Sequence, residues 1–262
     1  MASEPTLRVQ FLGPVRAWRG EQELGLGSPQ QQAMLVLLLA SRGNHVSVSA
    51  AIDALWGERP PRTAADLVRT HVSRLRSCLR GNTGARAGWA IQAVSRGYVF
   101  TLDSPAIDAC AFESLVQEGN QANRGGEAAR AARLLGDALA LWHGTPLAGV
   151  PGPYAAGQRV RLEELRVTAT EERIAAELES GHYLNAVPDL QVQLGADPLR
   201  ERVAELLMLA LYRSGRRAEA LSVFAATRRR LREDLGIEPG LPLQAMQRQI
   251  LRADSELLCG TA

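Results

Sequence analysis

Across residues 60–80 the apolar positions Val68, Val72, Leu75 and Leu79 recur at spacings of four, three and four. On a 3.6-residue period that spacing lays one narrow apolar stripe along a helix. Pro60-Pro61 precedes the stretch and Gly81 follows it, so the pattern predicts a helix from about Arg62 to Arg80 that presses its stripe on a core. Opposite the stripe lie Thr63, Asp66, Thr70, Ser73, Arg74 and Ser77, with Arg69, Arg76 and Arg80 along one edge and His71 along the other. That outer face carries hydroxyls, one carboxylate, one imidazole and guanidinium groups. Taken alone it reads as a solvated arginine-rich helix.

The neighbouring patterns change that reading. Leu7, Val9 and Phe11 alternate, and turns at Gly13-Pro14 and Gly20 divide the first segment into short strands. Ser28-Pro29 supplies an N-cap with proline at N1, and QQQAMLVLLLAS continues as a buried helix to Gly43. Ser49 opens a second, short helix, AAIDALW, stopped by Gly57. After the arginine helix and a glycine-rich stretch at 81–88, WAIQAV and GYVFTL read as two strands joined at Ser95-Arg96-Gly97. Sheet, three helices and a β-hairpin, in that order, is the plan of a winged helix-turn-helix. There the third helix enters the major groove and the hairpin touches a minor groove or phosphates.

A linker is expected at Asp103–Asp108, which divides the chain into residues 1–103 and 104–262. The second part reads as helices throughout: from Asp108, from Glu127 to Trp142, from Gln158 to Ser180, and onward to a last helix from Pro242 to Arg252. HGTPLAGVPGPYAAG between the second and third is read as an irregular loop. SGHYLNAVPDL at 180–190 matches SGRRAEALSVF at 214–224, offset by 34 residues, with Ser180/Ser214, Gly181/Gly215 and Ala186/Ala220 identical. That period is a tetratricopeptide signature, and Pro188 inside one repeat helix is expected to shorten or kink it. Stacked helix pairs offer surfaces to protein partners.

Charge sharpens the division. Residues 1–103 hold 12 arginines and 7 acids, residues 104–262 hold 18 and 21, and the chain contains no lysine. Seven arginines and one acid lie between Arg62 and Arg96, a concentrated positive field of the kind that meets nucleic acid. Cys78, Cys110 and Cys259 are too far apart for a zinc site or a disulfide framework. No GxxxxGK[ST], GxSxG, HExxH or GxGxxG motif occurs, so no enzyme, cofactor or metal centre is expected. The N-terminus has no signal-peptide pattern and no apolar run is long enough to span a bilayer, which leads to a cytoplasmic protein. Two other readings remain open: a helical-repeat adaptor whose basic domain meets an acidic protein, and a ligand-gated regulator with a pocket near the His143–Tyr154 loop.

FLGPVRAWRG, ALWGERPPRTA, HVSRLRSCL, RGY at 96–98, IDACAFESLV, ALALWHGTPL, ALYRSGRRAEAL and REDLGIEPG, in this order, resemble the Streptomyces antibiotic regulatory protein family over nearly the whole chain. His143 and Pro188 depart from the family pattern. The resemblance implies a mainly α fold with small β elements: an OmpR-type winged helix-turn-helix followed by an all-α, tetratricopeptide-like bacterial transcriptional activation domain. It implies an activator of a secondary-metabolite gene cluster that binds promoter direct repeats near the −35 region as a side-by-side dimer and recruits RNA polymerase. It carries DNA contacts to Arg69, Thr70, His71, Arg74 and Arg76, with Arg96 and Tyr98 on the wing. It also carries a contact with polymerase or its sigma factor to the loop of Glu58, Arg59 and Arg62. A small member without longer C-terminal extensions is expected.

Overall fold

The protein is described by a computed structural model covering residues 7–80, 89–102 and 106–253. The glycine-rich stretch 81–88 and Asp103–Pro105 of the expected linker lie outside the described residues. In chain order the elements are β1 (Leu7–Gln10), β2 (Arg16–Arg19), β3 (Gln22–Leu24), α1 (Pro29–Ala40), β4 (Val46–Ser47), α2 (Val48–Trp56) and α3 (Ala64–Arg80). They continue with β5 (Trp89–Val94), β6 (Gly97–Leu102), β7 (Ala106–Ile107), α4 (Asp108–Arg124), α5 (Ala128–Ala140) and α6 (Pro153–Glu179). The last are α7 (Tyr183–Ala196), α8 (Glu201–Arg213), α9 (Arg217–Arg230), a π-helical turn (Leu231–Leu235) and α10 (Leu241–Arg252). No helix among the described residues is long and apolar enough to cross a membrane.

Two compact units result: residues 1–114 with 140–166, and residues 115–139 with 167–262. Residues 140–166 fall in the first unit because the irregular loop at 143–152 is tied to its backbone. The His143 N–H donates to the Leu12 carbonyl at 2.7 Å and the Leu147 N–H to the Phe11 carbonyl at 2.9 Å. Pro14 and Ala148 form a parallel bridge beside them. Arg159 donates to the carbonyls of Pro146, Leu147 and Val150, which satisfies backbone groups a loop would otherwise leave unpaired. Helix α6 starts at Pro153, earlier than the expected Gln158, because proline at N1 has no N–H to lose.

In the first unit, β3-β2-β1-β7 form one sheet, antiparallel except for the parallel β1–β7 pair, and β4-β6-β5 form another. Alternation holds: Leu7 and Val9 are buried while Arg8 is exposed. Ser28 and Gln31 close a reciprocal capping box on α1, whose residues 33–39 are all buried because other elements surround it. Asp108 ties the start of α4 to the end of β1. Its carboxylate accepts the N–H groups of Phe11 (2.7 Å), Leu12 (3.0 Å) and Ala109 (2.7 Å). Burial pushes the Asp108 carboxyl above the usual range, against the pull of these three donors.

The second unit bears out the internal repeat in its hydrogen bonds. Ser180 Oγ donates to the Ala176 carbonyl and Ser214 Oγ to that of Ala210, at 2.8 and 2.7 Å. Gly181 and Gly215 both turn in the left-handed region, with φ of 86° and 77°. The next residues then donate backward, His182 to the Glu177 carbonyl and Arg216 to that of Leu211. Ala186 and Ala220 are buried at the crossings, and Leu190 and Phe224 join a core with Leu207, Leu211, Leu243 and Ile250. Pro188 lies within α7, which continues to Ala196.

Candidate nucleic-acid interface

Helix α3 is held by the stripe its sequence foretells. Val68, Val72, Leu75 and Leu79 are each at most 1% exposed, packed toward α1 and α2. The opposite side, Thr63, Asp66, Arg69, Thr70, Ser73, Arg74 and Ser77, is exposed. Along it Thr70 and Ser77 donate their hydroxyls to the carbonyls one turn back, of Asp66 and Ser73. Arg69 pairs with Asp66 at 2.6 Å, both well solvated. A surface pair of that kind is worth little and is easily exchanged for another anion. Arg74 has no hydrogen bond or ion pair among the described residues, so its fork is available to a partner.

The wing is a two-residue hairpin with residues 94 and 97 paired across it. Ser95 and Arg96 both have positive φ, 39° and 60°, as a type I′ turn demands. The Arg96 carbonyl accepts the Val48 N–H at 3.0 Å, which fixes the tip against the start of α2, and its side chain is exposed. Glycine is required next: a Cβ at Gly97 would collide with the Val46 carbonyl and the His45 ring, because β4 runs against β6 there. His45 Nε2 lies 3.0 Å from the Val94 carbonyl and closes the same corner. The exposed Glu58, Arg59 and Arg62 occupy the loop between α2 and α3.

Three expected contact residues lie elsewhere. His71 is 4% exposed, its ring 6.4 Å from that of Trp56, and neither ring nitrogen has a hydrogen-bond partner among the described residues. Burial, and secondarily the Arg74 charge, hold its pKa below the ordinary histidine value. Tyr98 is 8% exposed, because along β6 it shares the inner face with Phe100. Arg76 turns to the wing, donating Nε and Nη2 to the Ile91 carbonyl at 2.9 and 2.7 Å, with its guanidinium 6.0 Å from the centre of the Tyr98 ring. Arg76 is therefore a strut between α3 and the hairpin. The contacts of His45, Gly97 and Arg76 join residues distant in sequence and leave no local pattern. Only the alternation of Tyr98 with Phe100 gave a local signal that could have placed Tyr98 inward.

What remains outward is a row of exposed guanidinium and hydroxyl groups on α3 and an arginine at the wing tip. Such groups neutralise phosphates, and guanidinium forks match the guanine edge in the major groove.

Comparison with known proteins matches both parts of the chain to known families. Residues 21–100 match the family model for the C-terminal domain of transcriptional regulatory proteins, and residues 107–251 match that of the bacterial transcriptional activator domain. The regulatory protein AfsR of Streptomyces griseus is 46% identical over 98% of this chain, which spans only 26% of AfsR's length. The regulatory protein DnrI of Streptomyces peucetius is 33% identical, over 95% of this chain and 93% of DnrI. A solved structure of Mycobacterium tuberculosis EmbR, in complex with a low-affinity phosphopeptide, matches 95% of this chain and 66% of its own. The TM-score is 0.87 at 31% identity. With both domain models matched in order and DnrI paralleled over nearly its full length, the chain belongs to the Streptomyces antibiotic regulatory protein family of transcriptional activators, a winged helix followed by a bacterial transcriptional activator domain.

Proposed function

We propose that this protein is a sequence-specific DNA-binding activator of a secondary-metabolite gene cluster, acting in the cytoplasm. Arg69, Thr70, Ser73 and Arg74 of α3 meet the major groove and its phosphates, and Arg96 meets the backbone or minor groove beside it. The observation that carries this reading is the contrast across α3: a fully buried apolar stripe on one side, and an exposed face of hydroxyls with Arg69 and Arg74 on the other. Two protomers sit side by side on direct repeats about one helical turn apart, roughly 10–11 base pairs, which sets both on one face of the duplex. The Glu58–Arg62 loop contacts RNA polymerase or its sigma factor, and the helical second unit contributes further protein contacts.

Salt tests the DNA half of the proposal. If several arginines neutralise phosphates, log affinity falls linearly with log salt, by about 0.9 for each phosphate contacted. An affinity for promoter DNA that is flat in salt rejects this interface. The polymerase half is tested by replacing Glu58, Arg59 and Arg62 together with alanine. Binding to DNA is retained and transcription in vitro is lost; unchanged transcription rejects the contact.

A further inference from the structure

The first unit contains a cavity of about 360 Å³, away from the exposed face of α3. Its walls come from the end of β1, from α1, β7 and the first turns of α4, and from Leu147 and one face of α6. All of these lie within residues 1–114 and 140–166. The apolar lining is core-like: Phe11, Val36, Leu39, Ile107, Leu147 and Leu162 are each at most 5% exposed. The space opens to solvent on the side of Arg42 and Arg161, whose side chains are 62% and 48% exposed, and its size lies within the range of small-molecule sites.

The polar lining has a definite chemistry. On α6, Tyr154, Gln158 and Arg161 follow at four and three residues, so one helix face turns them to the same side. Opposite them Glu113 accepts from Arg161 at 2.8 Å and from Arg42. Two guanidinium groups share one carboxylate, so the lining side chains carry a net positive charge, while the Asp108 carboxylate behind the wall is taken up by the backbone N–H groups of Phe11, Leu12 and Ala109. Each arginine commits a single nitrogen to Glu113, so both forks keep donors free. The Tyr154 hydroxyl and the Gln158 amide have no hydrogen-bond partner among the described residues. Burial pushes the Tyr154 phenol upward, so it keeps its proton and remains a donor. Burial likewise pushes up the Cys110 thiol on the same wall, so that side chain is a neutral surface and not a nucleophile.

Apolar walls, a surplus positive charge and uncommitted donors together specify an occupant. We propose that this cavity binds a small amphipathic carboxylate, with its acyl or aryl body among Phe11, Leu39 and Leu162. Its acid group lies beside Arg42, Arg161 and Tyr154. Guanidinium forks and a phenol hydroxyl suit a carboxylate, whereas a neutral alcohol would leave the surplus charge unanswered. One wall of the cavity is α1, the helix packed against α3.

The test is calorimetric titration of the full chain with decanoate, and with decanol as its uncharged match, below the micellar range. Decanoate binds one to one and about tenfold or more tighter than decanol. Arg161→Gln weakens decanoate by a similar factor. Glu113→Gln moves the other way and tightens it, because it removes the competing carboxylate and frees both arginines. Tryptophan fluorescence confirms that each variant is folded. No binding of decanoate by the native protein overturns the proposal. So does equal affinity for decanoate and decanol, or failure of Arg161→Gln and Glu113→Gln to shift affinity in opposite directions.

Discussion

Replacing His71 by leucine separates a buried strut from a DNA contact. The imidazole is 4% exposed and both of its nitrogens lack partners among the described residues. An unsatisfied buried polar group costs about 1–3 kcal/mol. Leucine fills a similar space without that cost but gives up the contact with the Trp56 ring, at 6.4 Å and 30°, a pair worth about 0.5–1.5 kcal/mol. The balance favours His71→Leu by about 1 kcal/mol, a rise in midpoint of a few degrees.

The pH dependence follows from the lowered imidazole pKa. The unfolded chain takes up the proton at about pH 6.5, the folded chain only at a lower pH. The stabilising contribution of the neutral ring is therefore complete above about pH 6.5 and is lost as pH falls through the folded value. His71→Leu flattens that part of the profile. Trp18, Trp56, Trp89 and Trp142 all lie in the first compact unit, so tryptophan fluorescence follows that unit's unfolding as pH and temperature vary. Fluorescence anisotropy on promoter DNA supplies the second readout, and affinity stays within about twofold, under 0.5 kcal/mol. A loss of about tenfold, or 1.4 kcal/mol, with no loss of stability would mean that the ring swings out to the DNA, and would refute the assignment.

Three further substitutions probe the same surface. Arg74→Ala weakens promoter binding by about 1–3 kcal/mol, and competition with altered sites shows relaxed specificity at one base pair if the fork grips guanine. Arg76→Ala removes two charge-assisted bonds to the Ile91 carbonyl. It costs about 1.5–3 kcal/mol of stability in urea unfolding, while the salt slope of DNA binding is unchanged. Gly97→Ala sets a Cβ against the Val46 carbonyl and lowers the fluorescence midpoint by the equivalent of about 1–3 kcal/mol or more, since backbone cannot yield as a side chain does.

The sequence was most informative where the cause of structure is local. The stripe of α3, the Ser28-Pro29 start of α1 and the hairpin around Ser95-Arg96 are each written within a few residues and appear where they were expected. The 34-residue offset between Ser180 and Ser214 was also legible, since both serines and both glycines perform the same turn. Placement was less legible where the deciding partner is distant. His71 sits at the border of the helical wheel, and it is buried beside Trp56 of another helix, a neighbour that its own helix does not predict. Arg76 looks like a free surface cation until β5 brings the Ile91 carbonyl beside it. The 143–152 loop has no periodicity at all. Its order comes from Arg159 and from the backbone of residues 11–13, partners that no spacing rule connects.

The most direct test of the central claim is a hydroxyl-radical footprint of the full protein on the promoters of neighbouring genes, repeated with Arg74→Ala. The account predicts two protected tracts about one turn apart on one face of the duplex, both weakened by the substitution. Uniform protection along the DNA, or two tracts that survive Arg74→Ala undiminished, would contradict the assignment of the exposed face of α3 as the reader.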